Sequence, residues 1–227
     1  MPFDFDQYQP DSAFIETVWR TRSDRAATFT SRAVSRWELI LTKREGTVTV
    51  TLKGPETKAR LAPVPLDAEF IGIQFKHGAF MPRFPVDTLT DGGLQLENAT
   101  DSRFWLRGSA LSLPDFDHAD AFVERLARTG ELVRDPLVEA ALNEEPLDAS
   151  LRTVQRRFLK VTGLSPKTLQ QIERAQRASH LLERGASIAD VVYRTGYADQ
   201  PHLTRSLTRL TGQTPAQLRD KPSNTSG

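Results

Sequence analysis

The sequence predicts an α+β chain. A small N-terminal antiparallel β domain, barrel- or jelly-roll-like, is followed by an all-α domain with two helix-turn-helix units joined by a long helix. Three observations predict this. Between residues 27 and 76, short segments alternate apolar and polar side chains, the period of half-buried strands. From residue 117 onward the apolar spacing becomes helical. From 151 to 219, two patterns of short helix, turn and basic helix flank one uninterrupted helical run.

The elements follow in order. Residues 14–19 open the ordered part, and 27–31 alternate weakly. Residues 36–43 run into Glu45-Gly46, a dipeptide suited to a two-residue hairpin turn. Residues 47–53 (TVTVTLK) are strictly period two and rich in β-branched side chains, until Gly54-Pro55 turns the chain. Residues 69–76 alternate again, and Pro63, Pro65, Pro82 and Pro85 punctuate the loops. Short strands separated by such turns suit a sheet curled towards a barrel or jelly roll. A helix is expected over 117–128, with Ala121, Phe122 and Leu126 at helical spacing and Thr129-Gly130 as its stop. Asp135 caps another, with Pro136 in its first turn, where a missing N–H costs little. Further helices are expected at 151–161, 166–184, 187–194, 200–211 and 215–219. The chain therefore divides into a β domain over 1–116, a connecting helix over 117–132, a helical domain over 133–221 and a frayed tail over 222–227.

Composition narrows the function classes. With 227 residues, 38% of them hydrophobic, the chain can bury two small cores. It has no cysteine, hence no disulfide framework and no thiolate metal site. No apolar run approaches the ~20 residues that span a bilayer, and the acidic N-terminus lacks the blocks of a signal peptide. A cytoplasmic protein with no membrane partner is expected. The net charge of +1 hides a division. Residues 150–227 hold 13 Lys and Arg against 5 Asp and Glu, a balance of +8, and residues 1–149 carry −7. A basic lobe attracts phosphates and releases counterions on binding. Most charge runs are solvated helix faces, but this one falls on the helices that the turn signals mark as readers.

The second helical pair has the clearest punctuation. Ser187 caps 188–194, Gly196 supplies the turn residue, and Asp199 caps the next helix with Pro201 in its first turn. That helix carries His202, Thr204, Arg205 and Arg209. The layout is one that puts side chains into a DNA major groove. Two Thr-Gly-x-(Ser/Thr)-Pro segments, Thr162 to Pro166 and Thr211 to Pro215, recur at a spacing of 49 residues, each behind a basic amphipathic helix.

Gly196-Tyr197-Ala198-Asp199-Gln200-Pro201-His202-Leu203-Thr204-Arg205, ending in Leu210-Thr211-Gly212-Gln213-Thr214-Pro215, resembles the signature of the AraC/XylS family of transcription regulators. Ser150 to Phe158 and Thr162 to Pro166 resemble that family's first unit, so the likeness runs from near Asp135 to Arg219. It implies double-stranded promoter DNA as the partner, with RNA polymerase, a small-molecule effector and a homodimer as further expectations. It places Arg152, Gln155 and Arg156 of the first reader helix, and Gln200, His202 and Arg205 of the second, at base edges. Arg and Gln suit paired contacts with guanine and adenine, each worth ~1–3 kcal/mol of discrimination. Arg157, Lys160, Thr204 and Arg209 are assigned to phosphate contact or solvation. The joining helix, ~18 residues at ~1.5 Å each, spans ~27 Å, which would set two readers about one duplex turn (~34 Å) apart. Two departures stand out. Leu203 and Leu207 occupy positions that are often aromatic in the family, and 143–148 form an acidic, extended connection in the first unit. The second unit is therefore expected to anchor binding.

In the family the extra domain commonly senses a small molecule or mediates dimerisation. Trp37, Phe75, Arg83 and Trp105 are the candidate effector-pocket residues, with Phe70, Phe80, Arg103 and His77 as further candidates. The plainer reading is that aromatics at strand spacing form core. A helix over 117–128 could pair two chains or pack on its own domain. The rival reading is a small-molecule-binding or enzymatic β barrel, with the helical part as a non-DNA interaction module. No Gly-rich phosphate loop, nucleophile elbow or metal spacing supports it, and His77, His118, His180 and His202 are scattered. An alkyl-transfer enzyme needs a nucleophilic cysteine that this chain lacks. No enzyme activity, cofactor or metal is expected.

Overall fold

The structure is a computed structural model that describes residues 3–96, 99–100, 102–106 and 109–220; the expected tail at 222–227 lies outside the described residues. Eleven strands precede the first α-helix: β1 (Phe3–Tyr8), β2 (Ile15–Ser23), β3 (Ala27–Ser31), β4 (Glu38–Arg44), β5 (Thr47–Lys53), β6 (Arg60–Val64), β7 (Ala68–Phe75), β8 (Ala79–Phe80), β9 (Gly93–Leu96), β10 (Arg103–Leu106) and β11 (Ser109–Ser112). A short 3-10 turn, Val86–Thr88, sits between β8 and β9. Then come α1 (Ala119–Arg128), β12 (Val133–Arg134), α2 (Pro136–Leu142), α3 (Leu151–Thr162), α4 (Pro166–Glu183), α5 (Ile188–Thr195), α6 (Gln200–Thr211) and α7 (Pro215–Arg219).

The N-terminal part is an antiparallel sheet, as expected, in the order β1-β2-β7-β4-β5-β9. The period-two pattern of β5 puts Val48, Val50 and Leu52 inside. The Glu45-Gly46 turn joins Arg44 to its partner Thr47, which fixes the β4–β5 register. Three two-stranded ribbons, β3-β6, β8-β12 and β10-β11, accompany the sheet among the described residues. The β8-β12 ribbon is two residues long and was not evident in the sequence. It fixes the entry to the first helix-turn-helix unit, because the Asp135 N–H continues it with a 2.9 Å bond to the Gly78 carbonyl. Helix α1 buries Phe122, Val123 and Leu126 within its own unit, so its apolar face is not free to pair two chains.

Packing groups the chain differently from its order in sequence. One compact unit gathers the described residues of Met1–Thr28, Arg36–Pro55 and Pro63–Ser165. The other gathers those of Phe29–Ser35, Glu56–Ala62 and Pro166–Gly227. Helices α2 and α3 therefore pack with the sheet, and two segments from the β region pack with α4 to α7. The second unit is centred on α4, whose Leu169, Ile172, Ala175 and Leu182 are buried, with Leu181 half-buried.

The Thr-Gly repeat is a repeat in three dimensions as well. In the first copy, Thr162 Oγ1 lies 2.8 Å from the Phe158 carbonyl and 3.0 Å from that of Leu164, and accepts the Leu164 N–H at 3.2 Å. In the second, Thr211 Oγ1 lies 2.7 Å from the Leu207 carbonyl and 3.3 Å from that of Gln213, and accepts the Gln213 N–H at 3.3 Å. Gly163 and Gly212 both sit at φ 72°, where a β-carbon is costly. The hydroxyl ties each helix end to the start of the next turn, and the glycine reverses the chain.

In the sheet, Trp19 lies opposite Gly72, and a β-carbon on Gly72 would come within 2.0 Å of the indole. Gly72→Ala is expected to overpack this site and lower stability by about 1–3 kcal/mol, read from a urea titration followed by tryptophan fluorescence.

Candidate nucleic-acid interface

The first helix-turn-helix unit is α2, the connection over 143–150, and α3. Asp135 is 1% exposed and caps α2 by accepting the N–H groups of Leu137 at 3.1 Å and Val138 at 3.2 Å. Its other oxygen accepts Arg157 Nε at 2.5 Å. One carboxylate thus closes the start of α2 and clamps α3 against it, a charge-assisted pairing stronger than a neutral one. Arg157, given above as a phosphate contact or a solvated side chain, donates its Nε to this carboxylate while the rest of the side chain stays largely exposed. The carboxylate needs a donor there, because three polar partners are what make its burial affordable. The Ser150 hydroxyl caps α3 by accepting the Thr153 N–H at 3.2 Å. Arg152, Gln155, Arg156 and Lys160 are exposed. Residues 152, 155 and 156 lie three and four apart and share a face. Val154 and Phe158 point into the core.

The second unit is α5, the turn over 196–199, and α6. The Ser187 hydroxyl accepts the Asp190 N–H at 3.1 Å, and the Asp199 carboxylate accepts the His202 N–H at 2.6 Å. Gln200 and Arg205 are exposed, and His202 is half-buried. The turn is organised by Tyr197, which is 5% exposed. Its hydroxyl is 2.9 Å from Ser206 Oγ on α6. The His202 ring stands edge-on to it at 5.1 Å, and the Arg174 guanidinium lies 4.8 Å over its face. Arg174 also donates to the Gly196 carbonyl at 3.4 Å. Arg174 on α4 thus holds the turn, and the turn residue sets the attitude of α6 and of the His202 ring. Thr204 donates back to the Gln200 carbonyl at 2.9 Å, and Arg209 donates to Gln171 Oε1 at 3.3 Å.

The sequence alone gives Tyr197 no role beyond an apolar position in the turn and does not single out Arg174. An arginine two residues beyond Ile172, off the apolar face of that helix, is the available signal. Asp135 was read only as a cap, because its pairing with Arg157 spans 22 residues.

The four candidate effector residues differ in setting. Trp37 and Phe75 stack at 4.0 Å in the core, 4% and 1% exposed, with Trp37 Nε1 donating to the Ala79 carbonyl at 2.7 Å. Trp105 lies on the separate β10-β11 ribbon, 47% exposed, and Arg83 is exposed in a loop. For Trp37 and Phe75 this is the setting of an ordinary sheet core, the plainer of the two expectations. Among the described residues no cluster of three metal-ligating side chains occurs, and no helix is long and apolar enough to cross a membrane.

Residues 145–221 match the model of a helix-turn-helix domain family. The HTH-type transcriptional regulator RipA of Corynebacterium glutamicum is 39% identical over 87 residues, 37% of this chain and 26% of that protein. The HTH-type transcriptional activator RhaS of Escherichia coli is 34% identical over 76 residues, 33% of this chain and 27% of that protein. The match thus spans about a quarter of the length of either relative. Among solved structures, ToxT of Vibrio cholerae is similar at a TM-score of 0.39 and 7% identity, over 97% of this chain and 99% of that one, a likeness too loose to transfer anything.

Three substitutions test the local geometry. Arg157→Ala is expected to cost about 1–3 kcal/mol by stripping a buried carboxylate of its charged donor, whereas Lys160→Ala should stay within about 0.5 kcal/mol. Tyr197→Phe, which removes only the hydroxyl facing Ser206, is expected to cost about 0.5–1.5 kcal/mol. Urea unfolding followed by circular dichroism reads all three.

Proposed function

We propose that this chain is a sequence-specific DNA-binding transcription regulator of the AraC/XylS class and not an enzyme, a reading supported by the match of residues 145–221 to a helix-turn-helix domain family. In this reading α3 and α6 enter successive major grooves of one duplex. The observation that carries the reading is the second unit. A capped, basic helix presents Gln200 and Arg205 to solvent, and its turn is fixed by Tyr197 and Arg174. Base recognition needs side chains held on a rigid element. The balance of +8 over residues 150–227 supports the same role, as do the names of the two relatives, both transcription regulators.

Arg152, Gln155 and Arg156 on α3, and Gln200, His202 and Arg205 on α6, are the proposed base-contacting residues. Arg157, Lys160, Thr204 and Arg209 are the proposed phosphate contacts. An α4 of 18 residues, ~27 Å long, suits a separation of about one duplex turn between readers. The sheet region is proposed as the sensing or pairing part, with residues 133–221 as the reader domain. RNA polymerase contact, a homodimer and a cytoplasmic location belong to the proposal on family grounds alone.

Two measurements on a selected duplex test this. Arg205→Ala should weaken binding by ~5- to 150-fold, the worth of ~1–3 kcal/mol, and by more than Arg156→Ala. A larger loss from Arg156→Ala would contradict the anchoring role of the second unit. In a salt titration, log affinity should fall linearly with log salt, as phosphate neutralisation requires. An affinity indifferent to salt between about 50 and 200 mM would contradict DNA binding through the basic lobe.

A further inference from the structure

An α-helix leaves its last four carbonyls without partners in the helix. At the end of α6, two of them are taken by chain from far away in sequence. The Ala33 N–H donates to the Leu210 carbonyl at 2.7 Å, and the Ala59 N–H donates to the Arg209 carbonyl at 2.9 Å. The two donating segments, 29–35 and 56–62, are zipped to each other. Val34 and Glu56 exchange backbone hydrogen bonds of 3.0 and 2.9 Å, and Ser31 donates to the buried Glu56 carboxylate.

Side chains lock the same assembly to α4 and to the turn after α6. Arg32 Nη2 donates to Glu183 Oε1 at 2.6 Å and to Gln213 Oε1 at 3.3 Å. Gln176 Nε2 donates to the Ala33 carbonyl at 3.2 Å. The space beside Gly212 is filled, since a β-carbon there would meet Thr30 Cγ2 at 2.7 Å. All these contacts lie within one compact unit, the one built on α4 to α7.

We infer that residues 29–35 and 56–62 form a brace that positions α6 for DNA recognition, with Arg32 as a positioning residue. The inference rests on the proposed DNA-binding function. The brace holds the C-terminal turn of α6, whereas Gln200, His202 and Arg205 lie in its first two turns. It therefore supports the reading face without covering it, and loosening it weakens binding and does not release it. The two segments overlap strands: 29–35 begin within β3 and run towards β4, and 56–62 run from the end of the β5 turn into β6. A change in these segments reaches α6 through two backbone hydrogen bonds, and α4 through the Arg32–Glu183 ion pair.

The test uses the full chain and the variant Arg32→Ala/Gln176→Ala, with Arg32→Lys as the conservative control. Hydrogen exchange is measured on the DNA-free protein, and affinity is measured for a duplex selected by the unaltered chain and for versions altered in one contact patch. In the unaltered chain, the amides of Ala33 and Ala59 should be protected together with those of the last turn of α6. In the double variant these amides should exchange faster while those of β4 and α3 are unchanged. Affinity should fall ~tenfold, the loss of about one charge-assisted contact, and discrimination in the α6 patch should fall more than in the α3 patch. Arg32→Lys should recover part of both effects.

Unprotected Ala33 and Ala59 amides in the unaltered chain would overturn the brace. So would unchanged or tighter DNA binding by the double variant, or an equal loss in both patches. Binding by the unaltered chain with no effect of the variant overturns the brace alone. No binding by the unaltered chain overturns the regulator reading, and the positioning role with it.

Discussion

The end of a reader helix is the constraint on which this architecture turns. A helix that must present its first turns to a ligand has to be held by its last ones, and the last turn is where backbone carbonyls lack partners. Both reader helices end in the same device. A threonine hydroxyl links the closing turn to the chain beyond it, and a glycine in the left-handed region reverses the direction. Neither glycine has room for a β-carbon. Gly163 faces Thr90, Pro55 and Val86, and Gly212 faces Thr30 and Ala59. The Thr90 hydroxyl donates to the Gly163 carbonyl at 2.8 Å, and backbone N–H groups from the brace serve α6. In each compact unit, then, a segment from the first hundred residues closes the end of a reader helix.

This explains why sequence order and packing disagree. A boundary drawn after the last strand treats the β region as one body and the helices as another. The polar requirements of the helix ends pull residues 29–35 and 56–62 into the second unit. Those of α2 draw the first helix-turn-helix towards the β8-β12 ribbon, through Asp135 and Gly78. An isolated C-terminal fragment would lack the donors that its α6 uses.

Much of the local structure was legible in the sequence, and the reason is that it is local. The caps Asp135, Ser187 and Asp199 each act within three residues. The β4–β5 hairpin is set by a two-residue turn and by the alternation of TVTVTLK. Helices α6 and α7 begin and end where their capping and stop residues say. What was not legible depends on distance along the chain. The β8-β12 ribbon is too short to show a period. The Asp135–Arg157 pair spans 22 residues, beyond the reach of any local pattern. The Trp37–Phe75 contact is illegible for a related reason: strand spacing says that the two face inward, not whether they meet a cavity or each other. They meet each other.

The central claim is that one chain places two braced helices on one duplex. Selection of bound sequences from a random duplex pool, followed by hydroxyl-radical footprinting of the best site, addresses it directly. The account predicts two protected patches on one face of the DNA, about one helical turn (~34 Å) apart. A single patch, or protection spread evenly along the duplex, would contradict it.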